Sequence, residues 1–356
     1  MFLKSYIKRF SSQINNQLKQ TQLTKINYND LLKSPQEINI SNFIESSVGL
    51  KGQGMLIIKN LPNLEKIRKT QFKNLYNVNN LPKEEQNKLK TKDASVGWTN
   101  QVYASVDGVI PNETNSFMAR YPSDINKVDL KSPEFDIIWP PNNFKQDFLE
   151  FNNEVRILFN NLIKHIDHYL SKNIKNYKNE LYNDFYNTYN HLYRGIIYSP
   201  MKKSHNFWDI WHTDVSLMTF VTHPIYYNKN FDVVNINKSC LLFKDRSDNV
   251  FEAVYEEDEV AINIGDIFYF YSAGLIPTSP HCVTKSVDIP NDIYRSNIVI
   301  FLEPLHQHKL KISGGLEFDE IPHKESLKYF YSGNLNFKNG MTFQEYNDVF
   351  LATSSK

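Results

Sequence analysis

Apolar residues at Phe144, Phe148, Phe151, Val155, Leu158, Leu162, Ile166 and Tyr169 recur in steps of three and four, the spacing that gathers side chains on one face of an α-helix. The stretch predicts a long central helix with a single core-facing stripe. Upstream, Ser41–Glu45 and Leu64–Tyr76 carry the same period on either side of a short apolar run, Met55–Lys59, that predicts a strand. Leu81-Pro82-Lys83-Glu84-Glu85 opens a charged helix with proline early, where a missing N–H costs little. From Tyr193 the period shortens to two. Leu241–Lys244, Val250–Tyr255, Val260–Ile264, Ile267–Tyr271, His281–Lys285 and Asn297–Leu302 predict a series of short strands, with Gly265-Asp266 as a tight hairpin turn between two of them. Regular short strands over about a hundred residues point to a sandwich or jelly roll. After Gly314 the pattern turns helical, and Thr342-x-x-Glu345 forms a capping box for a final helix. Ala94–Glu113 is polar and turn-rich and reads as a loop.

Composition narrows the class. The chain has 356 residues, 41% of them hydrophobic and 14% aromatic, enough for a sizeable core in which Tyr and Phe do much of the filling. A net charge of +1 and the absence of a basic stripe argue against nucleic acid as a partner. Cys240 and Cys282, the two cysteines, make no disulfide framework. No apolar run approaches the roughly 18 residues of a membrane span. The first residues differ from the rest. Lys4, Lys8, Arg9, Lys19 and Lys25 precede the first acid, Asp30, and Phe2, Leu3, Tyr6, Ile7, Phe10 and Ile14 share one helical face. That fits either a mitochondrial transit segment or a frayed basic tail, so the expected location is intracellular, in the cytoplasm or the mitochondrial matrix.

The candidate chemistry lies in Trp211-His212-Thr213-Asp214 and in the later Ser279-Pro280-His281-Cys282. Residues two apart on a strand point to the same face, so His212 and Asp214 can share one ligand and His281 can reach it from a neighbouring strand. Two imidazoles and one carboxylate on one side of an ion form the facial triad of non-heme Fe(II) oxygenases, with the opposite positions open. Cys282 directly follows His281 and therefore faces away, into the core. His165 and His168 lie three apart on the central helix with no carboxylate implied beside them, and read as structural or solvated. Phe301 shares parity with Asn297 and Arg295 on their strand and would line the same pocket.

The frame around these residues carries a resemblance. LYRGIIYSP (192–200), WHTDVSLMTFV (211–221), VAINIGDIFYFYSAGLIPTSPHCV (260–283) and YRSNIVIFLEP (294–304), together with GQGMLIIKNLPNLEK (52–66), SFMA (116–119) and IIWPP (137–141), resemble the isopenicillin N synthase-like branch of the 2-oxoglutarate/Fe(II) dioxygenases over roughly residues 23–352. The resemblance implies an α+β fold, a double-stranded β-helix (jelly-roll) core with flanking N-terminal, central and C-terminal helices. It divides the chain into a basic extension (1–22), an N-terminal region with the long helix (23–185), the jelly-roll core (186–312) and a C-terminal helical segment (313–356). It implies Fe(II) on His212, Asp214 and His281, with 2-oxoglutarate as cosubstrate, O2 as oxidant and ascorbate as a reductant. Arg295 matches the arginine that takes the far carboxylate of 2-oxoglutarate, and Tyr198 matches a tyrosine that bonds the same group. Asn297 stands where the family has serine; its amide can still donate. Gly97-Trp98-Thr99-Asn100 aligns with a segment near the substrate pocket, which makes Trp98 and Asn100 substrate-binding candidates. The function implied is hydroxylation, desaturation or cyclisation of a small molecule. An Fe(II) oxidase that does without 2-oxoglutarate and a non-catalytic binding module are the alternatives.

Overall fold

The period-two runs pair into two facing sheets. The computed structural model describes residues 19–91, 96–101, 113–122, 131–187, 189–200, 207–286, 288–322 and 337–354. With strands numbered along the chain, the smaller sheet runs β1 (Lys19–Thr21), β11 (Val250–Ala253), β10 (Leu241–Lys244), β13 (His281–Thr284), β7 (Phe207–His212). The larger runs β2 (Lys25–Asn27), β3 (Leu56–Lys59), β12 (Glu259–Ile264), β8 (Met218–Thr222), β14 (Tyr294–Pro304), β6 (Tyr189–Tyr198), β5 (Thr114–Pro122), β4 (Gly97–Gln101), with β9 (Ile225–Tyr227) added beside β14. Pairing is antiparallel except at β1–β11 and β2–β3.

Alternation along the larger sheet divides its residues between two cores. Leu56, Ile58, Phe117, Phe220, Val260, Ile262, Ile298 and Ile300 pack against the helices. Met55, Ile57, Ile196, Tyr198, Val221 and Ala261 face the smaller sheet and meet Leu241, Phe243 and Val283. The helical layer is led by Phe144–Asn173, in which all eight residues of the apolar stripe are buried. The helix Leu64–Asn79 comes so near β6 that a Cβ at Gly195 would sit 2.5 Å from a Leu75 methyl and would have to displace that side chain. His165 of the central helix is buried, its Nε2 set between the carbonyls of Leu31 and Lys33, a structural role.

Several elements differ from the sequence reading. Ile267–Tyr271 is not a strand: Asp266–Tyr271 is a helix, and all six of its residues are buried. A helix apolar on every side has no polar face to break the pattern, so alternation cannot tell it from a buried strand. Gly265-Asp266 is accordingly a helix start and not a hairpin turn. A Cβ on Gly265 would lie 2.2 Å from the Ser216 carbonyl oxygen, and that close approach is what requires glycine. Part of the supposed loop Ala94–Glu113 is strand β4, while 94–95 and 102–112 lie outside the described residues. From Ser313 the described residues form the 3-10 turns Ser313–Gly315 and Phe318–Glu320 and then the helix Phe343–Ser354, while 323–336 lie outside the described residues. That helix has its capping box: Thr342 N–H donates to Glu345 Oε2 at 2.7 Å and Glu345 N–H to Thr342 Oγ1 at 3.2 Å. Lys19–Thr21, at the end of the basic extension, pair with Phe251–Ala253. The amphipathic face Phe2–Ile14 lies outside the described residues. Among the described residues no helix is long and apolar enough to cross a membrane.

Two buried histidines tie the fold to pH. Burial, aided by Arg156, pushes His191 down to about 3, and burial with Arg68 and Arg295 pushes His223 down to about 3. A histidine whose folded pKa lies below its unfolded value supports stability above the unfolded pKa, near 6.5, and loses that support as pH falls toward the folded value. The His191 ring packs on Phe159 and Tyr121, so phenylalanine can occupy its place. Urea unfolding of His191→Phe from pH 7 to 4 should show a clearly shallower loss of stability than the parent, whose buried imidazole forfeits on the order of 1 kcal/mol per pH unit. Parallel curves would exclude His191 as a source of the pH dependence.

Candidate metal centre

His212 ends β7 and His281 begins β13, and the two are register partners across the antiparallel pair. Their rings lie 4.3 Å apart between centroids. Asp214 follows β7 in a turn clasped by the N-terminus of the helix Asp266–Tyr271. The N–H of Gly265 donates to Leu217 O at 3.0 Å, that of Asp266 to Asp214 O at 2.9 Å and that of Ile267 to Ser216 O at 3.1 Å. N–H groups that a helix leaves unpaired at its start thus fix the backbone carrying the carboxylate.

Asp214 Oδ1 lies 3.6 Å from His212 Nε2 and 3.7 Å from His281 Nε2. These separations are longer than hydrogen bonds and are those of groups converging on a common point. The remaining ring nitrogens face outward to carbonyls: His212 Nδ1–H donates to Ile210 O at 2.7 Å and His281 Nδ1–H to Ser279 O at 2.9 Å. Each bond fixes the tautomer and leaves the Nε2 lone pair on the inside, as metal-binding histidines require. Asp214 is buried, and its Oδ2 has no hydrogen-bond partner among the described residues. All three ligand atoms lie within 4.8 Å of one another. The donor set fits an Fe(II) ion, with His212, the most exposed of the three, bordering the open side.

Burial alone would lower His212, but Asp209 and Asp214 outweigh it and hold the imidazole up at about 9. Burial likewise opposes ionisation of Asp214, and the two histidines bring it down to about 2. A divalent ion at this point therefore replaces a proton in an existing cation–carboxylate arrangement. Asp266, behind the turn, is pushed up to about 7 by burial and by Asp214.

A second polar feature lies deeper in the barrel. Arg295 is fully buried on β14, directly opposite Tyr198 on β6. Its Nη2–H donates to Ser239 O at 2.9 Å, while Nε and Nη1 have no hydrogen-bond partner and no carboxylate pairs with it among the described residues. The guanidinium lies 5.0 Å from the Tyr198 ring centroid and 5.8 Å from that of Trp208, with Tyr226, Tyr255 and Cys240 also near. Aromatic faces moderate the charge but do not neutralise it. Asn297 is two residues further on the same barrel-facing row. Its Oδ1 accepts from Thr222 Oγ1 at 2.7 Å and from Ile298 N–H at 2.9 Å. A backbone donor at Oδ1 settles which way the amide is turned, so the Nδ2 donor is left for the barrel interior.

The remaining candidates separate. Phe301 continues the row of Arg295 and Asn297, opposite Thr219 of β8, and is half-buried. Trp98 pairs with Phe117 and packs into the helix-side core. Asn100 is exposed, and its Nδ2–H donates to Asn115 Oδ1 at 2.7 Å. Both therefore point away from the triad. The β4 residue in the same cross-strand row as Asn297 is Thr99, through Ser116 and Ile196. Cys282 lies across from Leu242 on the face opposite His281 and is buried, as is Cys240; both are free thiols. Thr222, Tyr226 and the Ser239 carbonyl were not legible as site groups, because none lies in a local motif with Arg295.

No family model matches the chain, and no curated protein matches it. Solved structures do. The chain is similar to a full-length Neurospora crassa protein in complex with α-KG, at 16% identity over 94% of this chain and 96% of that one, with TM-score 0.67. It is similar to JOX2 in complex with 2OG, Fe and JA, at 14% identity over 94% and 86%, with TM-score 0.67. Rice DAO, a dioxygenase for auxin oxidation, matches at 13% identity over 93% and 96%, with TM-score 0.61. The protein thus has the fold of the 2-oxoglutarate/Fe(II) oxygenases, and the jelly-roll core expected from its sequence.

Proposed function

We propose that the protein is an Fe(II)- and 2-oxoglutarate-dependent oxygenase acting on a small molecule. The observation that carries this reading is Arg295. A buried guanidinium without a carboxylate is unfavourable, and here it lies inside the barrel that also holds a three-ligand metal site. A dicarboxylate spanning the two resolves both features. His212, Asp214 and His281 would hold Fe(II) from one side. Arg295 would take the far carboxylate of 2-oxoglutarate through its free N–H groups, a geometry suited to bidentate pairing. Asn297 would add its Nδ2–H, and Tyr198 would bound the same pocket. When bound, Fe(II) with 2-oxoglutarate supplies O2-driven oxidation, releasing succinate and CO2 as the substrate is oxidised. The apolar wall around Tyr198, Trp208 and Val221 limits water at the cosubstrate end. Structures of the same fold that contain α-KG, or 2OG with Fe, support the reading.

The test is anaerobic Fe(II) loading, addition of O2, and measurement of succinate from 2-oxoglutarate across a panel of small metabolites. Succinate release that requires iron and rises with one class of compound is the expected result. Iron-dependent O2 consumption without succinate would replace this reading with an oxidase.

A further inference from the structure

We propose that Asp266 and Tyr346 are positioning residues for the metal site, through which the C-terminal helix Phe343–Ser354 braces the turn that carries Asp214. The inference rests on the reading of His212, Asp214 and His281 as a metal centre. Asp266 is fully buried at the start of its helix. No backbone N–H of that helix donates to its carboxylate among the described residues, so the side chain is not its own helix cap. It is turned toward the C-terminal helix. Tyr346 OH donates to Asp266 Oδ2 at 3.4 Å, while Asp266 Oδ1 and the Thr213 hydroxyl have no hydrogen-bond partner among the described residues. Thr213 stands between the two ligands His212 and Asp214, and the Asp266 N–H bonds the Asp214 carbonyl. Asp266 therefore holds the ligand turn through its backbone, while its side chain is held by the C-terminal helix.

Tyr346 is held just as firmly on its other side. Its ring meets Phe270 edge-on at 5.7 Å, and Phe270 stacks on Phe337 at 3.9 Å. The C-terminal segment thus covers the helix Asp266–Tyr271 and presents one hydroxyl to the carboxylate behind the metal ligands. Groups that orient ligands from behind tune metal affinity, typically by about 10- to 100-fold. An apolar pair would pack this interior with less desolvation; a carboxylate bonded to Tyr346 instead fixes the direction of the N–H that holds the ligand turn.

Full-length parent, Asp266→Asn and Tyr346→Phe are titrated anaerobically with Mn(II) and Co(II), with the Co(II) visible spectrum and the thermal midpoint recorded for each. Asp266→Asn should weaken metal binding roughly 10- to 100-fold and alter the Co(II) spectrum. Tyr346→Phe should do the same to a smaller degree, with a thermal midpoint near the parent's. Variants that bind both ions as the parent does, with an unchanged spectrum, overturn the proposal, whether or not their midpoints fall. Should Asp266→Asn fail to fold, Tyr346→Phe decides alone, since it removes a single oxygen. A parent that binds neither ion would overturn the metal centre itself and this inference with it, an outcome distinct from equal binding by parent and variants.

Discussion

Asp214→Ala should give a folded protein that no longer retains Fe(II). The carboxylate is the one anionic ligand of the three, buried between two imidazoles. Without it, His212 loses one of the charges that hold it protonated, and two neutral imidazoles remain on widely open coordination. The loss in affinity should exceed the roughly 100-fold typical of groups that merely support a ligand. The fold should survive because the Asp214–Leu217 turn is held by main-chain bonds to residues 265–267, none of which uses the side chain. Metal analysis after anaerobic loading and desalting, with circular dichroism for folding, checks both halves. A folded variant with parental iron content would refute the ligand assignment.

The second large effect concerns Arg295, and it has two opposite signs. Arg295→Met should raise the thermal midpoint of the ligand-free protein, because an unpaired buried cation gives way to an apolar chain of similar length. Replacing buried ionic groups by hydrophobic ones of similar volume can stabilise by about 1–4 kcal/mol. The same change should nearly abolish 2-oxoglutarate binding. Truncating one partner of a buried charge pair costs about 2–5 kcal/mol, or roughly 30- to several-thousand-fold in affinity. Iron content should stay at the parental level, since Arg295 is not a ligand. Calorimetric titration of 2-oxoglutarate into Mn(II)-loaded protein, alongside thermal melts without it, separates the two effects. Parental affinity for 2-oxoglutarate in the variant would exclude Arg295 as its partner.

The site was legible where chemistry and strand parity coincide. His212 and Asp214 lie two apart, but only His212 is on a strand: Asp214 lies in the turn after β7, so spacing brought them together where parity did not; His281 needed only to open a neighbouring strand. Arg295, Asn297 and Phe301 do follow parity along one long strand, and the structure sets them in one row. Trp98 and Asn100 lie on the other face for the complementary reason. Read as loop residues they had no parity, and once Gly97–Gln101 is a strand, the alternation sends both to the helix side and Thr99 to the barrel. The helix Asp266–Tyr271 escaped because burial on all sides erases the period. Thr222, the Ser239 carbonyl and Tyr346 reach their partners across long sequence separations, and only tertiary structure brings such groups together.

The most direct measurement is an anaerobic titration of the Fe(II)-loaded protein with 2-oxoglutarate, followed by visible absorption. A 2-oxo acid chelating Fe(II) through its keto oxygen and adjacent carboxylate gives a metal-to-ligand charge-transfer band. The band should saturate at one equivalent in the parent, be absent in Asp214→Ala, and need far higher 2-oxoglutarate in Arg295→Met. Iron retained by the parent with no band at any 2-oxoglutarate concentration would contradict 2-oxoglutarate as the cosubstrate.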